Sequence, residues 1–224
     1  MCIRDSSLTV TFLEMWNAVS DKDKNDSDFT GFLVQTDYQA KQTGFIQPYA
    51  DSPMDHEQVG EEVYISMVNK AEKYCWFMTP YLIITDEMSH ALCLAAKRGV
   101  DVRIITPGIP DKKIIYNITR SFYHGLVKHG VRIYEWTPGF CHAKMSVADD
   151  CMATCGTINL DYRSLYHHFE NGCFMADCQA VLDIRNDLAA TMDECREVTE
   201  QYSTGRSAYL RLGQLFMRLF AGLL

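Results

Sequence analysis

Residues 142–159 read His-Ala-Lys-Met-Ser-Val-Ala-Asp-Asp-Cys-Met-Ala-Thr-Cys-Gly-Thr-Ile-Asn, which gives the pattern H-x-K-x4-D-x6-G-T-x-N. The run 141–148 alternates in character between two turns and is predicted to be a strand. Successive strand side chains point to opposite faces, so His142 and Lys144 are expected on one face and the apolar residues between them on the core face. The predicted strand therefore places an imidazole beside an ammonium.

This pair suits chemistry at an anionic phosphorus centre. A neutral imidazole is a competent nucleophile near neutral pH, and a fixed lysine stabilises charge on a transferring phosphoryl group. Asn159 follows a second predicted strand, residues 152–156, and its amide is expected to donate to the same anion. A lone H-x-K occurs often by chance, but Asp149 and the Gly-Thr-x-Asn at their spacings make coincidence a poor explanation.

The arrangement resembles the HKD motif of the phospholipase D superfamily, and its flanks narrow the resemblance. Residues 156–164, Gly-Thr-Ile-Asn-Leu-Asp-Tyr-Arg-Ser, and residues 168–171, His-Phe-Glu-Asn, resemble the second HKD motif of bacterial cardiolipin synthases. Residues 98–107 and 134–139 also resemble that family. The resemblance runs from about residue 45 to the C-terminus, which is most of the chain.

The resemblance implies a role for each motif residue, with no metal and no cofactor. Glu170 is expected to hydrogen-bond the catalytic histidine and to orient its ring. The alternative for Glu170 is a surface salt bridge. The implied site consists of catalytic His142, Lys144 and Asp149, phosphate-binding Lys144, Thr157 and Asn159, and the orienting residue Glu170. Asp149 is expected to support the geometry of the strand and loop.

The activity implied is phosphatidyl transfer between two phosphatidylglycerol molecules through a phosphohistidine intermediate, giving cardiolipin and glycerol. The implied partners are those lipids and an anionic membrane surface, with the protein at the cytoplasmic face of the cell membrane. Two alternatives stay open: a phospholipase D or phosphodiesterase that uses water as acceptor, and a non-catalytic membrane-binding half.

Composition narrows these possibilities. A chain of 224 residues with 47% hydrophobic residues has enough apolar material for one sizeable core. The net charge of −8 argues against a nucleic-acid partner. Residues 97–144 nevertheless hold nine Lys and Arg against three acids, which suits an anionic substrate, or else a solvated helix face. The nine cysteines form no C-x-x-C pair, which favours reduced thiols over a zinc site.

Helices and strands are predicted to alternate from residue 55 onward, with Gly99 and Gly130 ending two of the helices. The predicted class is α/β, with a phospholipase D-like HKD domain whose mixed, mostly parallel sheet is flanked by helices. The predicted helices are 56–73, 86–98, 111–129 and 178–199, and the further strands are 31–37, 44–49, 74–79, 100–106, 131–136 and 173–176.

The chain is predicted to have three parts. The resemblance to two-domain cardiolipin synthases implies that residues 1–43, with a helix at 8–19, are the remnant of a missing first HKD domain and its linker, and that residues 44–204 form the second HKD domain. Residues 205–224 are expected to form a C-terminal amphipathic helix with arginines opposite an apolar stripe. Because the sequence holds a single H-x-K, it resembles a C-terminal fragment, and the missing N-terminal HKD domain is an expected partner.

Overall fold

The structure is a computed structural model, and it describes residues 3–19, 28–33, 43–54 and 57–203. A short 3-10 helix spans Thr30–Phe32. The helices are α1 Ile3–Val19, α2 Val59–Lys70, α3 Asp86–Lys97, α4 Lys113–Val127, α5 Tyr162–Tyr166, α6 Gln179–Asp193 and α7 Thr199–Ser203. The strands are β1 Phe45–Asp51, β2 Tyr74–Met78, β3 Leu82–Ile83, β4 Asp101–Pro107, β5 Arg132–Trp136, β6 Met145–Ala148, β7 Met152–Gly156, β8 Leu160–Asp161, β9 Glu170–Ala176 and β10 Cys195–Glu197.

Eight strands form one mixed sheet in the order β1-β9-β7-β6-β2-β4-β5-β10, and β3 and β8 form a small parallel pair. Only the β2–β4 and β4–β5 pairs of the large sheet are parallel. The α/β class is confirmed, but the expectation of a mostly parallel sheet is wrong. Parallel pairing needs a long crossover, and the short turn between β6 and β7 leaves room only for an antiparallel hairpin.

Helices cover both faces of the sheet. On one face, α2, α3, α4 and α7 pack over β2, β4 and β5 in a large core cluster that includes Met67, Leu92, Phe122 and Tyr202. On the other face, a smaller cluster joins α6 to the sheet through Val181 and other apolar side chains. Because helices cover both faces of the central strands, buried residues run consecutively along them, as from Ile104 to Pro107 of β4.

The ends of the helices follow local chemistry that the sequence shows. The Thr85 side chain accepts a hydrogen bond from the Met88 backbone N–H and caps the start of α3. Gly99 and Gly130, which follow α3 and α4, have φ angles of 96° and 100°. Such left-handed backbone favours glycine, so the predicted stops at both positions are confirmed.

Two differences between the predicted elements and the structure affect the site and the edge of the sheet. The strand predicted at 141–148 covers only Met145–Ala148, so His142 and Lys144 precede it rather than belong to it. The helix predicted at 178–199 ends at Asp193, because Cys195–Glu197 pairs with the free edge of β5. That edge pairing joins segments distant in sequence, and a local pattern does not predict it.

Some predictions lie outside the described residues. They include the amphipathic helix at 205–224 and most of the strand predicted at 31–37, whose first residues lie in the short 3-10 helix. Within the described ranges, no helix is both long and apolar enough to cross a lipid bilayer.

Candidate active site

The motif residues meet at one edge of the large sheet. β6 begins there, β7 ends there and β9 begins there, beside the carboxyl end of β2, whose Met78 pairs with Met145. An open cavity of about 540 Å³ lies at this edge. Five of the six predicted site residues line it: His142, Lys144, Thr157, Asn159 and Glu170.

The cavity brings an imidazole and an ammonium into contact, as the motif predicts. Lys144 Nζ lies 3.0 Å from His142 Nδ1 and 3.2 Å from His142 Nε2. The same ammonium donates to the backbone carbonyl of His142 at 2.7 Å, which fixes its position. Lys144 is only 8% exposed, whereas the His142 side chain is exposed to the cavity. A reactant in the cavity therefore meets the imidazole first, with a fixed positive charge behind it.

The pKa values of both groups are lowered, in each case chiefly by desolvation. Desolvation, and then the positive charge of Lys144, lower the pKa of His142, while the Asp111 carboxylate opposes them. Desolvation also lowers the pKa of Lys144, against the opposing effect of Glu170 and Asp161. A lowered pKa keeps more of the His142 imidazole neutral near pH 7, which is the form that acts as a nucleophile or base.

Replacing Lys144 with methionine is expected to raise the pKa of His142, because the neighbouring positive charge is lost while the apolar stem is kept. An NMR titration of the histidine Cε1–H signals measures this directly. The signal of the exposed His90 on α3, which does not line the cavity, is the matched reference. A fall in the His142 pKa in Lys144→Met would contradict this assignment of the charge.

A hydroxyl and a carboxylate form the second wall of the cavity. The Thr157 hydroxyl donates to Glu170 Oε2. The backbone N–H of Thr157 donates to the Asn171 carbonyl at 2.9 Å, and the Asn171 N–H donates to Thr157 Oγ1 at 3.0 Å. These bonds join the end of β7 to the start of β9. Glu170 is thus bonded to Thr157 in this structure, and its orientation of the His142 ring stays a prediction.

The Asn159 amide also has a protein partner. Its Nδ2 donates to Ser164 Oγ at 2.7 Å, and its Oδ1 is buried without a hydrogen-bond partner among the described residues. The sequence predicts that this amide donates to an anion, and in the structure that donor is directed to Ser164 instead. Phosphate binding by Asn159 and Thr157 therefore stays a prediction.

Asp149 lies apart from the cavity, four residues beyond the start of β6. Its Oδ1 accepts from the backbone N–H groups of Lys73 and Tyr74, both at 2.9 Å, and its Oδ2 accepts from Glu72 N–H at 2.7 Å. Its backbone has a φ of 53°. Asp149 thus ties the β6–β7 turn to the start of β2. The structure gives it the expected supporting position, with no contact to the reacting groups.

Asp149→Ala is expected to lower the free energy of unfolding by about 2–4 kcal/mol, because three backbone donors lose a charged acceptor. Asp149→Asn should cost less, since its one carbonyl oxygen still serves the two donors that share Oδ1. Urea denaturation measures both changes. Asp177→Ala is the control, because Asp177 is exposed and has a similar φ of 50°. An equal loss in that control would attribute the effect to backbone strain alone.

The two neighbouring histidines, His167 and His168, follow α5 and lie outside the strands. Both are exposed. His168 Nε2 accepts from Arg163 Nε at 2.8 Å, and its Nδ1 lies 3.8 Å from Glu170 Oε1. Within the described ranges, no cluster of three His, Cys, Asp or Glu residues is arranged to hold a metal ion.

Residues 97–144, which are rich in Lys and Arg, contribute less positive charge to the cavity than their composition indicates. Of their nine cations, only Lys144 lines the cavity. Arg98 instead donates to the Val68 backbone carbonyl at 3.0 Å. Three other arginines form ion pairs with carboxylates: Arg103 with Asp101, Arg120 with Glu135, and Arg132 with Glu197. The positive charge at the cavity is therefore local.

The sequence reasoning missed two aromatic neighbours of His142. The Phe140 ring lies 5.9 Å from the His142 ring between centroids, and the Tyr81 ring meets it edge-on at 6.4 Å. The Tyr81 hydroxyl donates to Asp111 Oδ2 at 2.6 Å, so the carboxylate that opposes the lowered pKa of His142 is held in place. One signal was available, because Tyr81 directly follows Pro80 at the carboxyl end of a predicted strand.

Comparison with known proteins identifies the family. The family profile described as "Cardiolipin synthase, PLD-like domain" matches residues 64–192, which is more than half of the 224-residue chain. The chain belongs to this cardiolipin synthase PLD-like family. The match includes β6, β7 and every predicted site residue.

Several relatives match most of this chain. The chain is 32% identical to a cardiolipin synthase of Halalkalibacterium halodurans, over 82% of this chain and 37% of that protein. It is 30% identical to a cardiolipin synthase of Alkalihalophilus pseudofirmus, over 97% of this chain and 43% of that protein. An uncharacterized protein of Streptococcus mutans is 46% identical, over 98% and 47% of the two chains. The chain thus spans less than half the length of these relatives.

Solved structures agree on the fold. Nuc of Salmonella typhimurium, a phospholipase D family member, matches with a TM-score of 0.59 and 17% identity, over 69% of this chain and 98% of that chain. The phosphatidylserine synthase of Haemophilus influenzae matches with a TM-score of 0.62 and 16% identity, over 80% of this chain and 47% of that chain. Identity this low shows the fold alone, and it confirms the phospholipase D-like architecture.

Proposed function

We propose that this domain supplies half of a phosphatidyl-transfer site that joins two phosphatidylglycerol molecules into cardiolipin and releases glycerol. The observation that carries the proposal is the contact of His142 with the buried ammonium of Lys144 at 3.0 Å in an open cavity. Family membership and cardiolipin synthase relatives support the substrate class.

The chemistry proceeds in two balanced steps. In the first, one histidine nitrogen attacks phosphorus, the bond from phosphorus to the glycerol oxygen breaks, and a second histidine gives that oxygen its proton. In the second, the hydroxyl of another phosphatidylglycerol attacks phosphorus, the second histidine takes its proton, and the phosphohistidine bond breaks. His142 is one of this pair, and the other comes from a second H-x-K outside residues 1–224.

Lys144 is proposed to neutralise charge on the phosphoryl oxygens during both steps. A charge fixed before the reaction requires no reorganisation, and it acts more strongly when water is excluded. Lys144 is 8% exposed and its ammonium is fixed by the His142 carbonyl, which meets both conditions. Thr157 and Asn159 are proposed to add hydrogen bonds once their protein partners are exchanged for phosphate oxygens.

Product analysis tests this proposal against hydrolysis. The chain is co-expressed with a companion domain carrying the second H-x-K, and labelled phosphatidylglycerol is supplied. Cardiolipin with one glycerol per turnover supports the transferase. Phosphatidic acid as the main product would assign water as the acceptor, and vesicle binding without turnover would favour a non-catalytic half.

We also propose that the tail, residues 205–224, binds the anionic membrane surface on which the lipids lie. This stretch has an apolar stripe and, with Arg206, three arginines and no acidic residue. Each basic residue near an anionic surface contributes about 1 kcal/mol. A membrane location accords with the lipid substrates of the proposed reaction, and the cytoplasmic face is proposed with it.

Vesicle co-sedimentation measures this prediction. The chain is expected to bind phosphatidylglycerol vesicles more tightly than phosphatidylcholine vesicles, and salt should weaken the binding. Changing Arg206, Arg211 and Arg218 to glutamine should weaken it by roughly a hundredfold. The matched control changes Lys112, Lys113 and Lys128, which are exposed on the domain, to glutamine. Binding that ignores lipid charge would reject the proposal.

A further inference from the structure

Two cysteines face each other across the wall of the cavity. In the antiparallel pairing of β7 with β9, Cys155 lies directly opposite Cys173. The pair is inside the ladder, with Thr154 opposite Phe174 on one side and Gly156 opposite Gly172 on the other. Both side chains are therefore held on the same face of the sheet by regular strand pairing.

The Cα separation set by this register is compatible with a disulfide. Directly opposite residues of antiparallel strands have Cα atoms about 4.5 or 5.5 Å apart, depending on their place in the hydrogen-bond pattern. Either separation lies within the range of about 4.4–6.8 Å that disulfides span. The Thr157 N–H donates to the Asn171 carbonyl, so Cys155 and Cys173, two residues further along the ladder, are also a hydrogen-bonded pair. Their Cβ atoms are therefore about 5.5 Å apart, and closing a disulfide draws them together by about 1 Å, which makes the bond easier to reduce.

The two thiols differ in access. Cys155 is exposed and lines the cavity beside Gly156 and Thr157. Cys173 is partly buried and packs against the smaller core cluster under α6. A reagent that enters the cavity therefore reaches Cys155 first, and Cys173 is its nearest shielded neighbour along the ladder.

Five other thiols of the described chain are poorer nucleophiles for such a reagent. Cys75 and Cys93 are buried. Burial also raises the pKa of Cys141 and Cys151, and it raises the pKa of Cys195 to about 12. Because the thiolate is the reactive form, a raised pKa lowers the fraction able to react near neutral pH.

We propose that Cys155 and Cys173 form a thiol pair that removes adducts from the cavity by closing to an intrachain disulfide. The Cys155 thiolate attacks a low-molecular-weight disulfide, forms a mixed disulfide and releases one thiol of the reagent. The Cys173 thiolate then attacks Cys155 Sγ and releases the second thiol. The reagent is reduced to two thiols, the two cysteines are oxidised, and their protons pass to the released thiols.

The attack by Cys173 clears the cavity that the adduct on Cys155 would block. An adduct on Cys155 would occupy the cavity next to His142 and Thr157, whereas the disulfide lies within the sheet and leaves that space open. The inference does not depend on which phosphodiester the cavity accepts, so its failure and that of the proposed function are separate results.

The test uses the full chain with Cys151 and Cys178 changed to serine, because trypsin leaves each of them on the same peptide as Cys155 or Cys173. The folded protein is treated with oxidised glutathione and its remaining thiols are alkylated. The masses of the tryptic peptides are then measured by mass spectrometry. The expected main product links peptides 145–163 and 164–185 with the loss of two hydrogen atoms, and dithiothreitol reverses it.

Two single variants distinguish the roles of the cysteines. Cys173→Ser is expected to retain one glutathionyl group on Cys155, and Cys155→Ser should leave Cys173 unmodified over the same time. Circular dichroism checks folding, and alanine replaces serine in any variant that fails this check. A stable glutathione adduct on Cys155 while Cys173 is present, or faster modification of Cys173, would overturn the proposal.

Discussion

His142→Asn is expected to abolish cardiolipin formation when the chain is assembled with its companion domain, with a loss of at least about a thousandfold. Asparagine keeps a similar shape and can hydrogen-bond, but it cannot attack phosphorus or relay a proton at neutral pH. The assay follows labelled phosphatidylglycerol to cardiolipin by thin-layer chromatography. Folding should be kept, because the His142 side chain is exposed.

The matched control for this variant is His90→Asn. His90 is an exposed histidine on α3 and does not line the cavity. This change should leave the rate unaltered, which separates the chemistry of His142 from a general effect of losing an imidazole. Turnover near the wild-type rate in His142→Asn would remove His142 from the mechanism and, with it, the proposed function.

Residues 1–224 alone are expected to give no cardiolipin, and activity should appear with a companion domain that carries a second H-x-K. The proposed mechanism needs two histidines at one phosphate. Among the seven histidines of the sequence, the cavity that the structure describes is lined by His142 alone. Replacing the companion's histidine should therefore be as damaging as His142→Asn.

Light scattering alongside the assay identifies the active species. Robust synthesis by the chain as a monomer would show that one histidine is enough, and the two-histidine mechanism would fall. Synthesis by a dimer of this chain would keep that requirement but reject the companion domain, since a twofold axis can bring identical histidines together. Activity only with the companion is the expected result.

The helix boundaries show which parts of the fold are determined by the local sequence. The stops at Gly99 and Gly130 were predictable because a left-handed residue after a helix is a local requirement that glycine meets best. The strand edges were less predictable. β10 forms by pairing with the free edge of β5, and the residues Cys195–Glu197 do not by themselves predict that pairing.

The site shows the same division. The motif spacing by itself identified His142 and Lys144 as neighbours, since two residues separated by one are close in any extended chain. The prediction that both side chains lie on one face of a strand was nevertheless wrong. Both residues precede β6, and the buried ammonium is held by the His142 carbonyl. The family resemblance also implied a supporting position for Asp149, though not its three backbone donors.

Only the tertiary structure decided what surrounds that pair. The antiparallel order of β6, β7 and β9 brings Glu170 to Thr157 and Cys155 to Cys173, although each pair is separated by more than ten residues. Folding also places Asn159 against Ser164 and buries Lys144. Local patterns specify helix ends and the spacing of neighbouring residues, whereas partners across a sheet depend on which strands pair, a choice made by burial of the whole core.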